Sequence, residues 1–261
     1  MRPVPDSYEK NVRMSYYEAW NMKIAAIDSS GMVASVAILE DDIILAQYSV
    51  NYKKTHSQTL LPMLDEIIKM TECDLQTIDA IAVAKGPGSF TGLRIGSATA
   101  KGLGLALDKP IVEVPTLEAM AYQLYGAGRL ICPLMDARRN QVYTGAYLFI
   151  DTDNGVTFET IKEQCAVSID EMIAFINETG RSVIYLGDGV PVYRDVLMEK
   201  TKVNYCFAPP HCNRQDAGAL AALARVYFER GQTVSAAEHR PDYLRLSQAE
   251  RERMEKQQGL S

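Results

Sequence analysis

Chemistry in this chain would have to come from a small set of side chains. Asp28 stands at the end of an apolar run and is followed by Ser29, Ser30 and Gly31. A carboxylate beside exposed backbone N–H groups can hold Mg²⁺ and a phosphate. The same residues also suit an aspartate capping a hairpin turn through its own backbone, and the spacing favours the turn. A second candidate is Gly86, Gly88 and Gly92, which follow a short apolar run and lead into a helical pattern, with Glu113 further on. Glycines and an acid in that order can bind a dinucleotide. That fold begins at its first strand, however, whereas three strand-like segments precede these glycines. A P-loop is excluded by spacing, because positions 91 and 101 would have to be glycine and are Thr91 and Lys101.

The other reactive side chains are scattered. The three histidines, His56, His211 and His239, share no helical spacing, so no zinc or iron site is expected. His211 and Cys212 are neighbours whose side chains diverge in an extended strand, which argues against a Cys–His pair. His56 precedes a helical pattern and reads as a capping or interface residue. Asp136-Ala137-Arg138-Arg139 reads as a charged turn between strands. Five cysteines without a CxxC pattern suit reduced thiols in a cytoplasmic protein. With 261 residues, 47% hydrophobic and 23% charged, the chain has material for one large or two small domains. A formal charge of −6 argues against a surface built mainly to hold nucleic acid. No apolar run approaches the length of a membrane span.

The elements that would position these residues follow from periodicity. Lys23–Ser29, Met32–Leu39 and Ile43–Val50 read as three strands, the last two joined by the acidic turn Glu40-Asp41-Asp42. Thr55–Thr71 is helical in pattern, with Pro62 predicting a start near Thr59 or a kink. Ala80–Ala84 is a strand, and a helix then runs to Asp108 with Thr91 as its predicted N-cap. Small residues recur along it at Gly92, Gly96, Ala100 and Gly104, with Gly102 beside them. Each interior glycine costs a helix about 0.8–1 kcal/mol relative to alanine. Tolerating several implies close approach to a sheet, a phosphate or another helix. Pro110–Val114 is a strand and Thr116–Tyr125 a helix capped at Thr116. The order of strands and helices is that of a ribonuclease H-like unit with a mixed sheet.

Gly126-Ala127-Gly128 marks the predicted boundary, after which the order repeats. Leu130–Met135, Gln141–Ile150 and Val156–Val167 read as strands. Ser168–Glu178 is a helix with Ser168 and Glu171 spaced as a capping box. Ser182–Leu186, the turn Gly187-Asp188-Gly189, a helix at Val192–Lys200, a strand at Val203–Ala208 and an alanine-rich helix to Arg230 follow. The expected organisation is an extension over 1–21, a first lobe over 22–126, a second over 127–232 and a C-terminal tail over 233–261, and the charged, glutamine-rich end of Pro241–Ser261 reads as a solvated or frayed helix. The extension lacks the features of a secretory signal. It reads as disordered or loosely helical, with Met22 as an alternative start and Trp20 and the tyrosines able to tuck onto a neighbouring surface.

The stretches IDSS (27–30), HSQTLLPMLDEI (56–67), KGPGSFTGLRIGSATAKGLGLALDKP (85–110), PLMDARRNQVYTGAY (133–147), GDGVPVYRDVL (187–197) and PDYLRLSQAERE (241–252) together resemble the TsaB (YeaZ) family, in the family's order. The resemblance covers the chain from about Met22 to about residue 252. It implies the α/β, actin-like ATPase fold: two ribonuclease H-like lobes with mixed sheets. It implies a cytoplasmic, non-catalytic paralogue of TsaD, in the machinery that makes threonylcarbamoyladenosine beside the anticodon of tRNAs reading ANN codons. It implies a heterodimer with TsaD, a homodimer through the same surface when alone, the ATPase TsaE as a further partner, and tRNA reached through the complex, which uses ATP and Mg²⁺. The family's dimer surface matches Ser57–Thr71 and Thr91–Asp108, with Leu60, Leu64, Gly92, Gly96 and Ala100 as expected contacts. No histidine lies near residues 105–125, where the catalytic relative has its metal pair. The adenosine-facing glycines would match Gly187 and Gly189, with Asp188 between them placing a carboxylate near any nucleotide. With Asp28 they are the expected nucleotide-binding residues, although no tightly bound cofactor is expected. The alternative is a small-molecule kinase of the same fold, with Asp28 at the phosphates.

Overall fold

A computed structural model describes residues 22–52, 56–153 and 155–244. The first lobe begins with β1 (Lys23–Asp28), β2 (Ala34–Glu40) and β3 (Ile43–Val50). Then come α1 (His56–Thr71), β4 (Ala80–Gly86), α2 (Phe90–Leu107), β5 (Ile111–Pro115) and α3 (Thr116–Tyr122). The second lobe has β6 (Leu130–Asp136), β7 (Gln141–Thr152), β8 (Gly155–Ser168), α4 (Ile169–Thr179), β9 (Val183–Leu186), α5 (Gly189–Lys200) and β10 (Tyr205–Phe207), and α6 (Ala217–Glu229) follows.

Each lobe has a five-stranded mixed sheet, ordered β3-β2-β1-β4-β5 and β10-β9-β6-β7-β8. Counted within each lobe, the two orders are the same. A meander pairs antiparallel, β1 with β2 and β6 with β7, and the next strand joins the first in parallel, β4 on β1 and β9 on β6. The central strands are buried on both faces and are apolar except near their ends. This is the α/β architecture of two ribonuclease H-like lobes, the actin-like ATPase fold.

Three local expectations change. The helix α2 starts at Phe90 with Ser89 as its cap: the Gly92 N–H donates to Ser89 Oγ at 3.3 Å. Thr91 lies inside the first turn because Gly92 must sit against β1. Thr116 is likewise inside α3, whose cap position is Pro115. Pro62 faces solvent within α1, and the helix runs past it from His56 to Thr71; the ring removes one hydrogen bond without ending the helix. The capping box forms as expected, with Ser168 Oγ accepting from the Glu171 N–H and Glu171 Oε2 accepting from the Ser168 N–H.

The division at residues 127–232 also changes. The helix α6 packs on the first sheet, where Ala217, Leu220, Leu223 and Ala224 share a core with Ile24, Leu39 and Val112. Beyond it the chain stays on the first lobe. Val234 pairs with Ile111, and Ala236 enters the core beneath α1 and α2. The buried His239 ring bonds Glu113 at 2.7 Å, the Asp242 N–H donates to the Lys85 carbonyl, and the Tyr243 ring packs on Phe90 at a 37° tilt. Residues 233–244 of the tail are thus a strap over the first lobe. The expectations for residues 1–21 and 245–261 lie outside the described residues.

Candidate functional site

Two places gather the sequence-predicted residues: the cleft between the lobes and the paired helices α1 and α2. The cleft encloses about 600 Å³. Ser30, Gly31, His56 and Ser89 line it from the first lobe, and Asp136, Arg138, Tyr143 and Asp188 from the second. The first lobe's side is held by backbone contacts. The Ser89 N–H donates to the Ser30 carbonyl at 2.7 Å, and His56 Nε2 donates to the Gly31 carbonyl at 2.8 Å. His56 therefore ties the start of α1 to the turn after β1.

Asp28 lies beneath this floor with no exposed surface. Its Oδ1 accepts from the Ser30 N–H at 2.8 Å and from Ser30 Oγ at 2.6 Å, which is the turn-capping role. Its Oδ2 is buried without a partner. Burial pushes the carboxyl up to about 6, against the pull of the two Ser30 hydrogen bonds. Gly187 and Gly189 stand across the cleft at the end of β9, packed on the second lobe's own backbone. A Cβ on Gly187 would lie 2.1 Å from the Leu134 carbonyl oxygen, and one on Gly189 would lie 3.0 Å from it. Their lack of a side chain is thus accounted for by β6, without an adenosine. Between them Asp188 Oδ1 accepts from the Asp136 N–H at 3.2 Å, and burial raises its pKa. Two carboxylates against one lining cation, Arg138, make a poor polyphosphate site without an added cation.

The dinucleotide arrangement is not present. A Cβ on Gly86, Gly88 or Gly92 would fall 2.3, 2.3 or 2.0 Å from the carbonyl oxygens of Asp242, Ser30 and Ser29 respectively. The chain's own backbone fills the space a pyrophosphate would need. Glu113 is engaged by His239, Lys85 and the Arg240 N–H. Among the described residues, no three His, Cys, Asp or Glu side chains gather as a metal site.

The helix pair corrects the expected contacts. Leu60, Leu64 and Ala100 are core residues beneath α1 and α2, packed with Ile27, Ile38 and Ile81 of the sheet. Gly92 and Gly96 face Ser29, whose Oγ donates to the Gly92 carbonyl at 2.8 Å; a Cβ on Gly96 would meet that oxygen at 2.5 Å. The small-residue stripe thus serves the lobe's own sheet. The outward faces carry other residues: Leu61 (54% exposed) and Met70 (77%) on α1, and Arg94, Ala98, Gly102 and Leu105 (65%) on α2. A Cβ on Gly102 would meet nothing within 4 Å. A signal for this face was present in the sequence, since Ala98 and Gly102 repeat the four-residue spacing on a second stripe.

Two five-stranded mixed sheets of one strand order, facing each other across a cleft, define the class as an actin-like two-lobed protein. The family model described as "TsaD: tRNA N6-adenosine threonylcarbamoyltransferase" matches residues 44–253. The TsaB protein of Bacillus subtilis, a tRNA threonylcarbamoyladenosine biosynthesis protein, is 34% identical over 241 residues, covering 90% of this chain and all of that protein. Its counterpart in Haemophilus influenzae is 33% identical over 235 residues, covering 86% and 94%. The solved structure of YeaZ from Pseudomonas aeruginosa superposes with a TM-score of 0.70 at 25% identity, covering 85% of this chain and all of that one. The chain belongs to the family that the model describes, and within it to TsaB (YeaZ).

Proposed function

We propose that this chain works in the biosynthesis of threonylcarbamoyladenosine in tRNA as a non-catalytic scaffold and activator. It binds a TsaD protein through the outward faces of α1 and α2, in the cytoplasm, and acts on tRNAs reading ANN codons through that complex. ATP, Mg²⁺ and a TsaE protein are used by the assembly, and the isolated chain holds no nucleotide tightly. Family membership supports the pathway, and the helix pair supports the mode of action. The observation that carries the reading is Gly102, a glycine in mid-helix and exposed, with no neighbour within 4 Å that requires it. The chain's own packing explains Gly92, Gly96 and Gly104, whose added Cβ would meet the protein at 3.0 Å or less. Gly102 is left to serve close approach by a partner's helix. Leu61 and Leu105 supply apolar area beside it.

Light scattering of the chain mixed with TsaD from the same source tests this. A heterodimer is expected, lost in Gly102→Arg and in Leu61→Glu. Both positions face solvent, so the variants keep their fold, whereas Gly96→Arg would break the lobe itself. A wild type that stays apart from TsaD overturns the reading. ATP-dependent stabilisation of the isolated chain would favour the small-molecule kinase instead.

A further inference from the structure

A pocket of about 460 Å³ lies where the second lobe's hairpin, β7 and β8, meets α3 and α6. It shares no lining residue with the cleft. Alternation along β8 puts Val156, Phe158 and Thr160 on one face, and Phe149 is the cross-strand partner of Phe158. Tyr122 of α3 packs on both rings, with centroids 5.7 Å from Phe149 and 5.4 Å from Phe158. Tyr147 stacks on Phe158 at 5.6 Å and 11°, which fixes that wall. Helical spacing sets Glu118 beside Tyr122, and Arg230 follows Tyr227 at the end of α6.

Two opposite charges line this pocket without meeting. Glu118 Oε2 accepts from the Tyr227 hydroxyl, and Oε1 has no protein partner. Burial raises the Glu118 pKa, and Glu163 adds a second negative charge nearby. Lys85, whose charge favours the ionised form, is held by Glu113 at 3.5 Å. Arg230 is exposed and forms no salt bridge among the described residues. A half-buried carboxylate short of a cation is costly, and a guanidinium is suited to grip a carboxylate in bidentate fashion. We propose that the pocket binds a free α-amino acid with an apolar side chain, its ammonium at Glu118, its carboxylate at Arg230 and its side chain on the aromatic wall. The two acids repel a simple anion, and Arg230 repels a simple cation, so a ligand with both charges on one carbon answers both groups. The pocket's volume falls within the roughly 300–1,000 Å³ usual for small-molecule sites. The bound molecule would touch α3 and α6 on one side and β8 on the other, and so bridge the lobes. The pocket is separate from Leu61, Gly102 and Leu105, so this site stands or falls independently of the proposed function.

Isothermal titration calorimetry of the full chain with L-phenylalanine and L-leucine tests the site. Saturable binding of one molecule per chain is expected. The matching amines and carboxylic acids, which each lack one of the two charges, are expected to bind at least about tenfold more weakly. Glu118→Gln, which keeps an acceptor for Tyr227, and Arg230→Met, at an exposed position, should each weaken binding by at least about tenfold. Unchanged circular dichroism spectra show that both variants keep their fold. Absence of binding by either amino acid up to millimolar concentration overturns the proposal. So does an amine that binds as tightly as its amino acid, or binding that both substitutions leave unchanged.

Discussion

Replacing Gly102 with alanine separates what the isolated chain needs from what a partner needs. Gly102 lies inside α2, is exposed, and has no atom within 4 Å of an added Cβ. No clash opposes the change, so the gain in helix propensity, about 0.8–1 kcal/mol, should appear almost undiminished. In a chain of this size that raises the melting temperature by about 2–4 °C. The control is Gly96→Ala, whose methyl would lie 2.5 Å from Ser29 Oγ and which should lower it. Calorimetry on the purified chain reads both. A melting temperature unchanged or lowered by Gly102→Ala refutes the claim that the glycine is dispensable to the monomer. The same protein, with Gly102→Leu, is then titrated with TsaD. If a neighbouring helix packs at this position, affinity falls from glycine to alanine to leucine. Wild-type affinity in the leucine variant would sink the argument that Gly102 serves the partner.

Three further outcomes follow from the packing. Because burial raises Asp28 to about 6, the folded chain binds that proton more tightly than the unfolded one. Asp28 therefore removes stability as pH rises from about 4 to 6, by up to roughly 3 kcal/mol at 1.36 kcal/mol per unit. Asp28→Asn, which keeps an acceptor for Ser30, should be favoured over wild type more at pH 7 than at pH 4 in urea denaturation; a difference independent of pH contradicts this. Ser168→Ala removes half of a capping box and should cost about 1 kcal/mol by the same measurement. Tyr243→Ala removes the ring on Phe90, worth about 1 kcal/mol, and should speed proteolytic cleavage within residues 233–244; an unchanged cleavage rate means that the ring does not anchor the strap.

What was legible in the sequence was local. The capping box at Ser168 and Glu171, the acidic turn before β3 and the repeated strand order all depend on residues a few positions apart, and all appear in the structure. The helix stripe shows where legibility ends. Periodicity identifies the narrow face of α2 but not what that face meets, and the neighbour proved to be Ser29 of the same chain. Choosing Ser89 over Thr91 as the cap rests on the same contact. The family resemblance points to the helix pair but not to the face of each helix, and apolar residues at helical spacing, such as Leu60 and Leu64, are equally the mark of a core. The return of α6 to the first sheet joins segments far apart in the chain, residues 217–229 to residues 23–28, and no local pattern records that.

The return of α6 and the strap bears on the order of assembly during synthesis. Strands β6 to β10 lie in one unbroken run of chain, so the second lobe can close as soon as residue 207 leaves the ribosome. The first lobe is made earlier but lacks one side of a core until Ala217–Ala224 arrive, and lacks the cover of Ile111 until Val234 does. The lobe translated first is therefore completed last. Until then it presents the bare faces of β1, β2 and β5 to the surroundings, the kind of exposed apolar strand that nascent-chain chaperones hold.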